Sequence, residues 1–172
     1  MDVFQAIETR YSHKEKFLPH PVSKEHLEKI AFAGLTTPSG ANAQSVYAIL
    51  LPDRESVQKL CDIVYHPGLA TAPVAIALFT DSKTQVMDVN FELQDYSASC
   101  QNILLAATAL GYSSLWLDYP FFNEGNQKSA CALMKVPDNF HLHVVVPIGI
   151  PDGEGSRREK RPISERFHYF NG

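Results

Sequence analysis

Apolar side chains recur at helical spacing in several segments of this chain. The spacing predicts four short helices, over residues 2–9, Ser23–Ala33, Glu55–Val64 and Asn126–Met134. Ser23 is the expected N-cap of the second of these. A longer apolar stripe predicts a helix from Phe91 to Leu110, which Asn90 would cap and Gly111 would close just after its last turn. The predicted helices are spread along the chain and are not grouped in one half.

Apolar runs between these helices predict strands. Four are predicted, over Val46–Leu51, Pro73–Thr80, Ser113–Leu117 and His143–Ile150, and the second is expected to be buried. A loop opens at Pro38-Ser39-Gly40, where turn-forming residues interrupt the pattern. Helices interspersed with strands, with no repeat and no linker, predict a single domain over residues 1–172 of the α+β or α/β class.

The composition is that of an ordinary globular domain. Of the 172 residues, 45% are hydrophobic and 20% are charged. Fifteen Lys and Arg against 19 Asp and Glu give a net charge of −4, so the basic excess of a nucleic-acid-binding protein is missing. No apolar run approaches the ~20 residues of a membrane span, and the N-terminal sequence MDVFQAIETR lacks the layout of a signal peptide. We therefore expect a cytoplasmic protein that binds neither nucleic acid nor membrane.

Metal and disulfide chemistry are not predicted. Cys61, Cys100 and Cys131 are odd in number and widely spaced, which is typical of reduced thiols. His141 and His143 lie two residues apart at a strand edge, but the sequence suggests no third ligand nearby.

Two cationic clusters lie near opposite ends of the chain. The first comprises Arg10, Ser12 and Lys14, whose guanidinium, hydroxyl and ammonium groups together suit a phosphate. On spacing alone, the favoured interpretation is an ordinary solvated helix end. The second is the basic segment, residues 157–161 (RREKR), which could close over an anion or remain a solvated loop.

A loop rich in small polar residues follows the second predicted helix. This polar loop, residues 37–44 (TPSGANAQ), has small side chains that let the backbone approach a ligand. Ser39, Asn42 and Gln44 add hydrogen-bond donors and acceptors. The alternative is a simple turn, since Pro, Ser, Gly and Asn are the common turn formers.

Four segments, taken in this order, resemble the FMN-dependent nitroreductases: RYSHK, TPSGANAQSVYAIL, SASCQNILLAATALGYSSLWL and VVVPIGIPDGEGSRREKRPISERFHY. The resemblance spans nearly the whole chain. It implies a nitroreductase-type α+β fold, with a mixed sheet covered by helices, and a homodimer. The aromatic tail, residues 167–170 (FHYF), agrees with a dimer because it is expected to bury on a partner surface.

The resemblance also implies which residues bind FMN. Arg10, Ser12 and Lys14 would hold the phosphate, with Tyr11 packing beside it. Family members also have two cations near their C-terminal end that contact the phosphate, and these correspond here to Arg158 and Lys160 of the basic segment. Arg161 would replace either of them if the register slips by one.

The resemblance implies that two other segments contact the flavin ring and the ribityl chain. Ser39, Asn42 and Gln44 would reach them, in many family members from the neighbouring subunit. A backbone N–H from Leu117 or Asp118 would face flavin N5.

The implied activity is a pair of half-reactions at one flavin. NADH or NADPH delivers a hydride, and a small electron-poor substrate such as a nitroaromatic or a quinone then takes the electrons. The flavin carries the chemistry, so no side chain is assigned as acid or base and no metal is expected. Two alternatives remain: a flavin carrier or sensor without general reductase turnover, and a specialised flavin oxidoreductase acting on a biosynthetic intermediate.

Overall fold

The computed structural model describes residues 1–84, 88–155 and 157–170. Its described part contains six α-helices: α1 (Val3–Thr9), α2 (Lys24–Leu35), α3 (Arg54–Cys61), α4 (Pro67–Thr71), α5 (Glu92–Ala109) and α6 (Glu124–Leu133). It also contains four strands: β1 (Val46–Leu51), β2 (Val74–Asp81), β3 (Ser113–Ser114) and β4 (Phe140–Gly149). Short 3₁₀ turns lie at Gly40–Asn42, Tyr119–Phe122 and Ile163–Glu165. The five predicted helices and four predicted strands are thus confirmed, with shifted ends, whereas α4 is an addition.

Local side chains set the helix ends. The Ser23 hydroxyl accepts a hydrogen bond from the His26 amide at 3.1 Å, as expected for an N-cap. The long helix starts one residue later than predicted, because Phe91 and not Asn90 is its N-cap; the Asn90 side chain accepts from the Glu92 amide at 2.7 Å from just outside the helix. At the other end Gly111 has a φ of 86°, the left-handed conformation that glycine adopts without strain.

The four strands form one antiparallel sheet in the order β1-β2-β4-β3. Strand β2 lies at the centre against β4, with Leu78 opposite Val144. The mixed sheet expected from the family resemblance is therefore antiparallel in its four strands. Its parallel contact, within the described residues, is the isolated bridge between Ser12 and Ser114.

Helices cover both faces of the sheet. Alternate residues of β2 point to opposite faces, so Ala75, Ala77 and Phe79 join one buried cluster, with side chains of α3, α4 and α6. Val74, Ile76 and Leu78 join the other, with side chains of α2 and α5. Burial on both faces explains why the central strand is an unbroken apolar run. No helix in the described residues is both long enough and apolar enough to cross a bilayer.

Candidate functional site

The N-terminal cationic cluster lies in an extended segment beside β3. The His13 amide donates to the Ser114 carbonyl at 3.0 Å, next to the parallel bridge between Ser12 and Ser114. This pairing attaches residues 10–14 to the edge of the sheet. Arg10 is the C-cap of α1, as the solvated helix end would have it, but the residues after it are paired to the sheet and belong to the folded framework.

Side chains of this segment divide between the core and the surface. His13 is 1% exposed, and its Nε2 lies 2.7 Å from the Lys16 carbonyl oxygen. Successive side chains of an extended segment point to opposite sides, so Ser12 and Lys14 are directed away from this core. Ser12 is half-buried and Lys14 is exposed, which leaves both side chains accessible to a ligand.

The basic segment lies against the N-terminal cluster. The Tyr11 hydroxyl accepts from Ser113 Oγ at 3.1 Å, which fixes its ring. Gly155 packs on that ring so closely that a Cβ there would come within 1.8 Å of Tyr11 Cε2. Two residues later, the Arg157 guanidinium donates to the Thr9 carbonyl. The fold thus brings both cationic clusters together, although Thr9 and Arg157 are 148 positions apart in the sequence.

These cations have no acidic partner within the part of the chain that the structure describes. The ion pairs found there join exposed residues of α2, α3 and α6. Arg158, Lys160 and Arg161 are exposed, and Arg10 is half-buried. An accumulation of unneutralised positive charge attracts an anion.

The polar loop has an unusual backbone. Three of its residues, Ala41, Asn42 and Gln44, have positive φ angles of 47°, 57° and 49°. Side chains other than glycine rarely adopt this left-handed conformation, and strained residues of this kind cluster at functional sites. The Ser39 hydroxyl accepts from the Gln44 amide at 2.9 Å and stabilises the loop from within.

A buried carboxylate that the sequence analysis missed holds this loop. Asp95 lies in the first turn of α5 and is 3% exposed. Its Oδ1 accepts from the Gly40 amide at 2.9 Å, and its Oδ2 accepts from the Ser45 hydroxyl at 2.7 Å. The available signal was an acidic residue on the predicted inner face of a long helix, where a charge is costly without partners.

Two backbone amides in the segment after β3, those of Leu117 and Asp118, were expected to face flavin N5. The Leu117 amide already donates to the Val145 carbonyl at 3.1 Å, and the Val145 amide donates back at 2.9 Å. The Leu117 amide is therefore not available to a ligand. Of the two expected amides, that of Asp118 remains the candidate donor to flavin N5. Within the described residues the Asp118 amide donates to no protein acceptor, and its carboxylate accepts from Trp116 Nε1 at 2.9 Å.

The charges of Arg10 and Asp118 both act on Cys100 of α5. Burial raises the pKa of the Cys100 thiol far above its usual range; the nearby Asp118 charge raises it further and the Arg10 charge lowers it. Cys100 is fully buried, as predicted, and is unreactive as a nucleophile. The N-terminal cationic cluster and the Asp118 amide are both connected to β3, because residues 12 and 13 pair with Ser114 and Asp118 follows Ser114 by four residues.

A cavity lies apart from these residues. It has a volume of about 590 Å³ and is lined mainly by apolar residues, among them Phe17, Pro19, Pro21, Pro52 and Pro73. None of the residues predicted to bind FMN lines it. This cavity is therefore distinct from the predicted FMN site.

The chain is similar to known proteins in both sequence and fold. The model of the nitroreductase family matches residues 7–66 and 58–150. A protein of Archaeoglobus fulgidus, provisionally named NADH dehydrogenase/NAD(P)H nitroreductase, is 36% identical over 135 residues, covering 77% of this chain and 76% of that protein. One of the same provisional name from Methanothermobacter thermautotrophicus is 33% identical over 160 residues, covering 91% and 82%. A solved structure from Desulfovibrio desulfuricans, provisionally a nitroreductase and in complex with FMN, is 27% identical, has a TM-score of 0.85 and covers 99% of both chains.

Replacing Ala41 with glycine tests the strain in the polar loop. Left-handed backbone costs a residue with a Cβ about 1–2 kcal/mol, and glycine's extra freedom in the unfolded chain offsets about 0.4–1 kcal/mol of the gain. Ala41→Gly should therefore raise the free energy of unfolding by up to about 1 kcal/mol, measured by urea denaturation. Ala33→Gly in α2 is the matched control and should lower it by about 0.5–1 kcal/mol. Equal losses in both variants would show that Ala41 is not strained.

Proposed function

The chain belongs to the nitroreductase family, and we propose that it is an FMN-dependent oxidoreductase. In this proposal it passes electrons from NADH or NADPH to a small electron-poor acceptor, such as a nitroaromatic or a quinone. The observation that carries the proposal is the meeting of two cationic clusters along β3, the strand from which the chain continues to the Asp118 amide. The FMN found in the Desulfovibrio desulfuricans structure supports the choice of cofactor.

The phosphate of FMN fits the cationic clusters. A phosphate monoester carries close to two negative charges at neutral pH and needs several donors. Arg10, Ser12 and Lys14 offer them from the sheet edge, and we assign the remaining contacts to the basic segment, through Arg158, Lys160 or Arg161. Tyr11 connects the two groups, because Gly155 packs on its ring.

We assign the flavin ring to the Asp118 amide and to the polar loop. The Asp118 amide, which has no protein acceptor in the described residues, would donate to flavin N5. Ser39, Asn42 and Gln44 would contact the ribityl chain and ring. When bound, FMN supplies the group that accepts and returns a hydride, while the residues of this chain bind and orient it. The hydrogen bond from Trp116 Nε1 to the Asp118 carboxylate holds the backbone around the Asp118 amide in place.

We also propose that the protein is a homodimer. Large apolar side chains are exposed on two helices that both pack against α5, with Phe4 of α1 72% exposed and Phe32 of α2 69% exposed. Patches of this kind mark protein interfaces, and a second copy of the same chain is the partner that the family resemblance implies. Phe170, at the end of the aromatic tail, is 97% exposed and makes little contact with its own subunit. In this proposal the polar loop of one subunit completes the FMN site of the other.

Anaerobic reduction of the purified holoprotein tests the proposed activity. Addition of NADH or NADPH should bleach the oxidised flavin absorbance, and a nitroaromatic or quinone should restore it. Both half-reactions are required by the proposal. Bound flavin that stays oxidised with either nicotinamide would favour a flavin carrier or sensor. Reduction without reoxidation by these acceptors would favour a specialised oxidoreductase.

Alanine substitutions in the N-terminal cluster test the phosphate assignment. A charge-assisted contact contributes about 1.5–3 kcal/mol, so Arg10→Ala and Lys14→Ala should each weaken FMN binding about 10- to 100-fold. Flavin fluorescence titration measures this. Lys16→Ala is the matched control, because it removes an exposed cation from the same segment. His13→Ala is unsuitable, since it would empty a buried position. Equal losses for Lys14 and Lys16 would contradict the assignment.

A charge placed on the apolar face of α2 tests the dimer. Phe32→Glu should dissociate the protein into monomers and weaken FMN binding with it, because only the dimer would contain a complete site. Sedimentation with and without FMN measures both, and FMN should tighten the wild-type dimer. Tyr65→Glu is the control, since Tyr65 is 77% exposed and follows α3 instead. A wild-type monomer that binds FMN tightly would contradict the shared site.

A further inference from the structure

The polar loop depends on one side chain outside it. We propose that Asp95 is a positioning residue that holds this loop in the conformation that binds FMN. The inference rests on the proposed function, because it takes FMN to be the ligand of the loop. Asp95 itself need not touch the flavin, since it acts through Gly40 and Ser45.

The hydrogen bonds of Asp95 connect the two ends of the bend. Its carboxylate accepts from the Gly40 amide at 2.9 Å and from the Ser45 hydroxyl at 2.7 Å. Gly40 begins the short 3₁₀ turn, and Ser45 directly precedes β1. One buried group therefore fixes the entry and the exit of the segment that contains Asn42 and Gln44.

A carboxylate suits this position for two reasons. It accepts hydrogen bonds with both oxygens and donates none, which matches one amide and one hydroxyl. It also lies in the first turn of α5, where the helix dipole stabilises a negative charge. These interactions together compensate for the burial of a charge at 3% exposure.

A second contact from the same helix shapes the loop. Phe91 lies four residues before Asp95, and a Cβ added to Gly40 would come within 2.4 Å of the Phe91 ring. Residues four apart share one side of a helix, so Phe91 and Asp95 face the loop together. The ring sets how near Gly40 can approach, and the carboxylate holds it there.

The strain in the loop explains why such a support is needed. Ala41, Asn42 and Gln44 all have positive φ, and a loop without outside support would relax toward ordinary backbone angles. Asn42 and Gln44 are exposed, so packing of their own side chains does not hold them. Asp95 holds the polar loop in its binding conformation in the absence of ligand. This lowers the free-energy cost of ordering the loop when the ligand binds.

Binding of two flavins to a set of variants tests the proposal. Asp95→Ala should weaken FMN about 10- to 100-fold, because it removes both charge-assisted contacts. It should weaken riboflavin by the same factor, because the loop is assigned to the ribityl chain and ring. Arg10→Ala should weaken FMN far more than riboflavin, which lacks the phosphate. Asp95→Asn should restore most of the affinity, because its oxygen can accept from Gly40 and its amide can donate to Ser45.

Hydrogen exchange without flavin gives an independent readout. The amides of Gly40 and Gln44 should exchange about tenfold faster or more in Asp95→Ala than in the wild type. Ser45→Ala removes one of the two donors and should give an intermediate effect, which keeps the test valid if Asp95→Ala fails to fold. Asp138→Asn, at an exposed carboxylate, is the control and should change nothing.

The outcomes separate this inference from the proposed function. Wild-type protein that binds neither flavin would overturn the proposed function, and the role of Asp95 toward FMN with it. Wild-type binding that Asp95→Ala and Ser45→Ala leave unchanged would overturn the inference alone. A loss of FMN affinity without loss of riboflavin affinity would also overturn it, because Asp95 would then act through the phosphate.

Discussion

The backbone pairing between the segment after α1 and the edge strand β3 is the interaction on which the site depends. The hydrogen bond from the His13 amide to the Ser114 carbonyl places Arg10, Ser12 and Lys14 along the sheet edge. The chain leaves β3 only a few residues before Asp118, so the same edge also carries the backbone donor. The C-terminal basic segment then reaches this edge through Tyr11. Three distant parts of the sequence thus meet because one strand edge is left open to them.

The site departs from the rules that the rest of the molecule follows. In the core, β2 buries apolar side chains on both faces, and helices α2 to α6 contribute side chains to the two clusters. At the site, cations lack acidic partners in the described residues, a loop holds strained backbone angles, and a carboxylate is buried. Each of these costs stability and is unexplained by folding alone. The binding of FMN that we propose would account for all three.

Local sequence signals were sufficient for most elements and insufficient for contacts between distant residues. Periodicity located the long helix, and Gly111 marked its end correctly because capping is a local interaction, whereas the N-cap is Phe91 and not the predicted Asn90. Helix α4 was missed because five residues are too few to show a helical period. The roles of Asp95 and of the Leu117 amide were not predictable, since they depend on Gly40, Ser45 and Val145. The family resemblance supplied the candidate residues, and the fold brings the N-terminal cationic cluster and the basic segment together through Thr9, Tyr11 and Gly155.

A crystal structure of the protein grown with FMN would test the central claim most directly. The account predicts electron density for the phosphate within hydrogen-bond distance of Arg10 and Lys14, and for flavin N5 facing the Asp118 amide. It also predicts that Asp95 keeps its contacts with Gly40 and Ser45. FMN bound in the proline-lined cavity near Pro52 and Pro73, with these cations untouched, would contradict it.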